Sequence, residues 1–282
     1  TGDEMTLDKR TNAFRPDLAA SHLRGEVESR HFVDGTVYEV IDPIADVRRA
    51  PAPDAALDTQ ALFGERVTVY ETTDEGWAWG QLASDNYVGW LQANALATPG
   101  DAATHRVIVP RTLCFPGPDI KLPPLAALPL GATVAIARQE GRFAVAQNGW
   151  HLPAGHVAPL AATYRDFVAV AEMLLGAPYL WGGKSVLGID CSGLVQVSMH
   201  AAGLACPRDS DMQQDALGQT VAIEDVTRGD LVFWKGHVAI ARDARTLIHA
   251  NAFHMMVAQE PLAGALTRIA VAGSAVTNVK RL

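Results

Sequence analysis

The sequence predicts a multidomain protein: two small all-β barrels in tandem, then a domain with helices first and an antiparallel sheet after, an α+β layout. Three observations predict it. Short β-patterned runs between glycines fill the chain up to Leu160, features of the first such stretch recur in the next, and past Leu160 the apolar spacing switches to the helical period. With 282 residues, 49 % of them hydrophobic and 19 % charged, the chain is globular in composition and long enough for two or three cores.

Residues 1–32 are polar and charged without a sustained period, and read as an extended N-terminal arm that Phe14, Leu18 and Leu23 can anchor on a neighbouring surface. Residues 33–98 make the first barrel. Thr36–Val40 and 66–70 alternate or are β-branched, Gly64, Gly76 and Gly89 punctuate them, and the 49–54 stretch carries two prolines. Residues 98–104 form a linker, and 104–160 repeat the first pattern in shortened form. Gly64-Glu65-Arg66-Val67 is echoed by Gly131-Ala132-Thr133-Val134, Asp74-Glu75-Gly76 by Gln139-Glu140-Gly141, and Gly89-Trp90 by Gly149-Trp150. In residues 161–282, Phe167, Val170, Ala171 and Leu174 stand at helical spacing up to a stop at Gly176-Ala177-Pro178. A second helix runs over 190–202, with Asp190 as its N-cap and Gly203 just past its end. Three short strands follow, at Leu231–Trp234, 237–242 and Thr246–Asn251.

The formal net charge of −8 argues against nucleic acid as a partner, since phosphate binding needs clustered Lys and Arg. The longest uncharged run, 122–137, is broken by three prolines and Gly131, so no transmembrane segment is expected. No basic stretch followed by an apolar one opens the chain. Cys114, Cys191 and Cys206 are an odd, sparse set that suits a reducing compartment. The expectation is a cytoplasmic protein, with an exported form whose leader has been removed as the alternative.

Cys191 directly follows Asp190, where orphan N–H groups and the helix dipole favour an anion and lower a thiol's pKa. Ser192 and Gly193 come next, the glycine small enough for a substrate to approach the turn. Alone, such a cysteine reads as packing on a helix face. Downstream, however, His237 opens one strand and His249 lies near the end of the next. Pairing Ala241 with Arg245 across the intervening turn sets His237 directly opposite His249, near enough for one imidazole to orient the other. A helix-start cysteine with two such histidines has the nucleophile, base and orienter of a papain-like site. His151 and His156 are spaced like possible metal ligands, but no Cys or carboxylate lies beside them, and no HExxH or similar spacing supports a cluster of His254 with His249 and His237. Gly182-Gly183-Lys184-Ser185 has Pro178 where a phosphate loop needs its first glycine. The six tryptophans mostly sit in Gly-Trp or Trp-Gly pairs at β turns, where core packing explains them. No metal or organic cofactor is expected.

These residues belong to a longer series: Pro178-Tyr179-Leu180-Trp181-Gly182-Gly183, Asp190-Cys191-Ser192-Gly193-Leu194-Val195-Gln196, Pro207-Arg208-Asp209, Arg228-Gly229-Asp230-Leu231-Val232-Phe233-Trp234, His237-Val238-Ala239-Ile240 and Leu247-Ile248-His249-Ala250. On this series the segment from about 165 to 282 resembles the NlpC/P60 family of cell-wall cysteine peptidases. The two preceding modules are similar to bacterial SH3 (SH3b) domains, with Asp58-Thr59-Gln60 and Tyr87-Val88-Gly89-Trp90 among the matching features. Two modules and then the peptidase is the order of the dipeptidyl-peptidase VI or YkfC-like branch. The resemblance thus implies two small all-β SH3-like barrels followed by an α+β papain-like (NlpC/P60) domain. It implies Cys191 as nucleophile, His237 as base, His249 as the third polar residue and Tyr179 near the reacting carbonyl. It also implies a closed acidic pocket for the substrate's free N-terminal amine, lined by Asp190, Ser192 and Asp209, with Asp58 and Tyr87 added by the first module.

The implied activity is hydrolysis of the bond between γ-D-glutamate and the following diamino acid, meso-diaminopimelate or lysine, in peptidoglycan stem peptides with a free N-terminal L-Ala. The product is L-Ala-γ-D-Glu, as in cell-wall peptide recycling, and peptidoglycan-derived peptides are the expected partners. Two alternatives stand beside it: a secreted endopeptidase remodelling intact peptidoglycan with its SH3b modules as anchors, and a non-catalytic muropeptide-binding protein. The complete Cys191, His237 and His249 set argues against the second.

Overall fold

The computed structural model describes residues 7–282, so the first six residues of the predicted arm lie outside the described residues. The chain divides into two compact units, Thr1–Ala103 with Ala132–Ala135, and Thr104–Gly131 with Ile136–Leu282.

In the first unit, seven strands make one antiparallel sheet: β1 (Thr36–Val40), β2 (Ile44–Arg48), β3 (Leu57–Leu62), β4 (Arg66–Thr72), β5 (Trp77–Leu82), β6 (Val88–Gln92) and β7 (Leu96–Ala97). Their spatial order is β3-β2-β6-β5-β4-β1-β7. The strand period sends Val40, Val47, Val67, Leu82 and Leu91 into one core. The alternate positions Trp77, Trp79 and Trp90 pack instead with Ala13, Ala20 and Leu23 of the arm. These tryptophans therefore lie in strands, not in turns, and the arm covers them. The Arg15 guanidinium stands 4.3 Å from the Trp79 ring centre and pairs with Glu71 at 2.6 Å. The arm also has structure of its own, since Leu18–Ala20 runs parallel to His31–Val33 and Ser21–Leu23 is a 3₁₀ turn. Its apolar residues follow no period, so the sequence pattern gives the anchors without the local structure.

The second unit begins with strands and turns. His105–Val107 pairs with Val157–Pro159, and Arg111–Cys114 with Ala126–Pro129. Ile136–Glu140, Phe143–Ala146 and His151–Pro153 form a three-stranded antiparallel sheet.

The remainder is a sheet between helices. Helix α1 (Phe167–Met173) is capped by Asp166, which accepts from the Val168 N–H at 2.9 Å. Helix α2 (Cys191–Ala201) is buried along nearly its whole length, and a shorter helix, α3 (Ser210–Ala216), follows. The sheet comprises β8 (Gln219–Thr220), β9 (Leu231–Trp234), β10 (His237–Ala241), β11 (Thr246–Asn251), β12 (Met256–Pro261) and β13 (Val276–Arg281). Its strands stand in the order β8-β13-β9-β10-β11-β12. Leu231, Phe233, Val238, Ile240 and Ile248 pack with Leu194 and Val195 of α2. Val232, Trp234, Ala239, Ala241 and Leu247 pack on the other side with Ala265 of α4 (Leu262–Val271). Cover on both faces explains why Leu231-Val232-Phe233-Trp234 is continuously apolar. It also explains two pairs in that region. Asp230 is buried and pairs with Arg281 at 2.6 Å, and Arg228 pairs with Asp166 at 2.7 Å, so this motif holds the sheet and α1 together.

The sequence pattern stops at β11. Elements α3, β12, α4 and β13 have no counterpart in it. Helix α4 begins after Pro261 without a side-chain cap, and α3 is polar but for Met212 and Ala216, so neither gives a start signal and an apolar stripe together.

Candidate active site

Cys191 is the first residue of α2 and lies in the core shared with the sheet. The helix starts there because Asp190 caps it, its Oδ1 accepting from the Gly193 N–H at 2.7 Å. Gly193 is small for a reason other than substrate approach. A Cβ at that position would meet the Gly183 carbonyl oxygen at 2.4 Å and Asp190 Oδ1 at 2.9 Å. The glycine lets the Gly183 loop close against the first turn of α2.

The cap is part of a buried ion pair. Arg208, 1 % exposed, donates to Asp190 Oδ1 at 3.0 Å and to Oδ2 at 2.8 Å. The Gly182 N–H adds a second bond to Oδ2, at 2.8 Å. Ser192 Oγ accepts from the same guanidinium at 2.9 Å. The roughly four acceptor sites of the Asp190 carboxylate are thereby taken by the protein itself. Asp209 stands at the N-cap position of α3, half-buried, and its side chain does not cap that helix.

Strand β10 brings the base. The Cys191 sulfur accepts from the Val238 N–H, one residue past His237. The expected register of the β10–β11 hairpin needs correction. Ala241 pairs with Leu247 and Ile240 with Ile248, two residues from the predicted pairing. The cause is the turn. Arg242 donates to the Thr246 carbonyl at 2.8 Å and Asp243 Oδ1 accepts from the Arg245 N–H at 2.8 Å, so the loop is centred one residue later. His237 and His249 are therefore diagonal neighbours and not opposite ones. A two-residue shift keeps both on one face of the sheet. Diagonal positions stay within reach of long or ring side chains, and the rings meet, His237 Nε2 to His249 Nδ1 at 2.9 Å. Trp234, paired with His237 across the β9–β10 hairpin, flanks the ring at 5.7 Å between centres.

Burial governs the charges. It pushes the Cys191 thiol up to about 12, helped by the adjacent Asp190 carboxylate. It pushes His237 down to about 3, reinforced by His249 and Arg268, and His249 down to about 4 against the pull of Glu260. Thiol and imidazoles thus rest neutral. Tyr179 is half-buried beside this group. Burial, reinforced by the neighbouring Asp190 carboxylate, raises its phenol to about 12, which keeps it a donor.

Of the remaining expected residues, Asp58 and Tyr87 lie in the first unit. Asp58 pairs with Arg49 at 2.6 Å, and Tyr87 is buried in the core of the seven-stranded sheet. Two residues near the site escaped the sequence reading. Glu260 Oε1 lies 2.7 Å from His249 Nε2 and pairs with Arg268. Its signal was an acid next to Pro261 on an otherwise uncharged strand, but that strand was not foreseen. Arg208 lies in the Pro207-Arg208-Asp209 motif, and nothing in its sequence neighbours announces that it is fully buried. His151 and His156 bond locally, to the Gly149 carbonyl at 3.0 Å and the Thr112 hydroxyl at 2.9 Å.

Residues 47–96 match the bacterial dipeptidyl-peptidase Sh3 domain, and 176–271 match the NlpC/P60 family. The chain is 32 % identical to the gamma-D-glutamyl-L-lysine dipeptidyl-peptidase of Bacillus subtilis over 208 residues, 67 % of this chain and 68 % of that one. It is 26 % identical to dipeptidyl-peptidase 6 of Lysinibacillus sphaericus over 235 residues, 75 % and 86 % of the two chains. The crystal structure of an NlpC/P60 family protein from Bacillus cereus shares the fold, with a TM-score of 0.72 at 21 % identity over 87 % of this chain and 99 % of that one. With an SH3 domain ahead of the papain-like domain and Cys191 at the head of α2, the chain belongs to the NlpC/P60 family and is a cysteine peptidase.

Proposed function

We propose that the chain hydrolyses the bond between γ-D-glutamate and the following diamino acid, meso-diaminopimelate or lysine, in peptidoglycan stem peptides whose N-terminal L-Ala is free. The observation that carries this reading is the pairing of a helix-head cysteine and a two-histidine relay with a relative that is itself a gamma-D-glutamyl-L-lysine dipeptidyl-peptidase. The substrate's γ-carbonyl sits over Cys191. His237 takes the thiol proton as the sulfur attacks, since neither group is charged at rest. The Cys191 N–H and the Tyr179 hydroxyl donate to the oxyanion. The amine of the diamino acid leaves with the proton from His237, and water, activated by His237, cleaves the thioester to release L-Ala-γ-D-Glu.

Amine recognition falls to Asp209 in this reading, because Asp190 is already saturated by Arg208 and two backbone N–H groups. Ser192 then supports the Arg208 network. Asp58 and Tyr87 are assigned to the amine by the resemblance alone, and Asp58→Asn and Tyr87→Phe test them separately. Residues 104–160 are read as a second SH3-like module. Its support is the matching order of a hairpin, a 3₁₀ turn at Ala154–His156 like that at Ala93–Ala95, and a short closing strand. The proposal includes a cytoplasmic recycling role, which a preference for free stem peptides would suit, and it is tested by fractionating cells that express the native gene. The activity is tested by mass spectrometry of products from L-Ala-γ-D-Glu-meso-diaminopimelate and its N-acetyl form. Cleavage of the N-acetyl form alone would point to wall remodelling.

A further inference from the structure

We propose that Glu260, held by Arg268, is a positioning residue that sets the tautomers of both active-site histidines and so leaves bare the ring nitrogen of His237 that serves as the base. The inference rests on the cysteine-peptidase reading of the site, and the geometry of three contacts carries it. Glu260 pairs with the Arg268 guanidinium, and its Oε1 lies 2.7 Å from His249 Nε2. His249 Nδ1 lies 2.9 Å from His237 Nε2.

A carboxylate beside a guanidinium is ionised and only accepts, so His249 carries its hydrogen on Nε2. A neutral imidazole has one N–H, so His249 Nδ1 is an acceptor and the hydrogen between the rings belongs to His237 Nε2. The Nδ1 of His237 is then unprotonated. The donors run one way, from His237 through His249 to Glu260. Two imidazoles without the carboxylate can run the bond in either direction. In the reversed one His237 carries its hydrogen on Nδ1 and has no basic nitrogen there. His249 is 1 % exposed, so water does not take the place of Glu260. Arg268 is itself seated 4.4 Å from the Phe253 ring centre. The fixed carboxylate thus plays the part that an acid plays for the base histidine of a serine hydrolase, one imidazole further away.

The test is the tautomer of each ring in the full chain labelled with ¹⁵N-histidine, read from long-range ¹H–¹⁵N spectra at neutral pH without substrate. The wild type should show both His237 and His249 protonated on Nε2. Glu260→Met fills the same space without accepting a hydrogen bond. It should populate the Nδ1–H form of at least one ring and lower kcat by about 10–100-fold, by analogy with the loss of a group that orients a metal-bound histidine, with KM nearly unchanged. Glu260→Gln can still accept through its amide oxygen and should retain more activity than Glu260→Met. A wild-type His249 protonated on Nδ1 would overturn the proposal, and so would wild-type tautomers in a folded Glu260→Met variant. The wild-type spectrum decides even where a variant does not fold. Because the spectra need no peptide, failure to cleave the stem peptide would count against the proposed substrate and leave the tautomer assignment standing.

Discussion

Arg208 and Asp190 form a two-point ion pair, at 3.0 and 2.8 Å, beneath the helix turn that carries Cys191. Both residues are buried. Removing one member of such a pair strands the other charge, typically at a cost of about 3–5 kcal/mol. Arg208→Met should therefore lower stability by about 3 kcal/mol, the low end, since two backbone N–H groups still serve Asp190. Paired with Asp190→Asn it should lose less than the sum of the single changes. Urea unfolding of the three variants checks this, and additive losses would mean that the pair is not coupled.

Gly193 makes the reverse prediction to helix propensity. In an open helix, Gly→Ala gains up to about 1 kcal/mol. Here a Cβ would sit 2.4 Å from a backbone carbonyl that cannot swing away. Gly193→Ala should destabilise by about 1–3 kcal/mol and reduce kcat by displacing Cys191. A more stable, fully active variant would refute the packing account.

The buried histidines predict an acid-side loss of stability. His237 and His249 have folded pKa values of about 3 and about 4, below the ordinary 6.5. The unfolded chain therefore binds protons that the folded one excludes. Stability from these groups is full above pH 6.5 and falls as pH drops toward 4, by up to about 1.4 kcal/mol per pH unit for each ring. Asp166, Asp230 and Glu260 have lowered pKa values and lose their contribution only at lower pH. Melting temperatures between pH 6.5 and 4.5 should thus fall in the wild type and fall less steeply in His249→Gln. Equal slopes would show that His249 is not kept neutral.

Much of this site was legible in the sequence because its parts are local. Asp190, Cys191 and Gly203 mark a helix by cap, first turn and terminator, and the structure places α2 accordingly. The His237–His249 contact was legible for a weaker reason: parity alone puts both on one face, so the contact survived an error of two residues in register. What was not legible is what distant residues supply. Arg208 reaches Asp190 across 18 positions and Glu260 reaches His249 across 11, and no periodicity encodes either. The arm's cover over Trp77, Trp79 and Trp90 is equally non-local.

Asp209 predicts discrimination at the substrate's amino end. An ammonium bonded to a carboxylate contributes about 1.5–3 kcal/mol, so N-acetylation of the L-Ala should lower kcat/KM by at least about 10-fold. Asp209→Asn should narrow that ratio, mainly by slowing the free peptide. A ratio unchanged by the substitution would place amine recognition elsewhere.

The central claim is that Cys191 performs γ-D-glutamyl bond hydrolysis on a free stem peptide. The measurement closest to it is mass spectrometry of L-Ala-γ-D-Glu-meso-diaminopimelate incubated with wild type and with Cys191→Ala. The account predicts L-Ala-γ-D-Glu and free diaminopimelate from the wild type, a transient acyl adduct on Cys191, and neither from the folded variant. Intact peptide with the wild type, or the same products from Cys191→Ala, would contradict it.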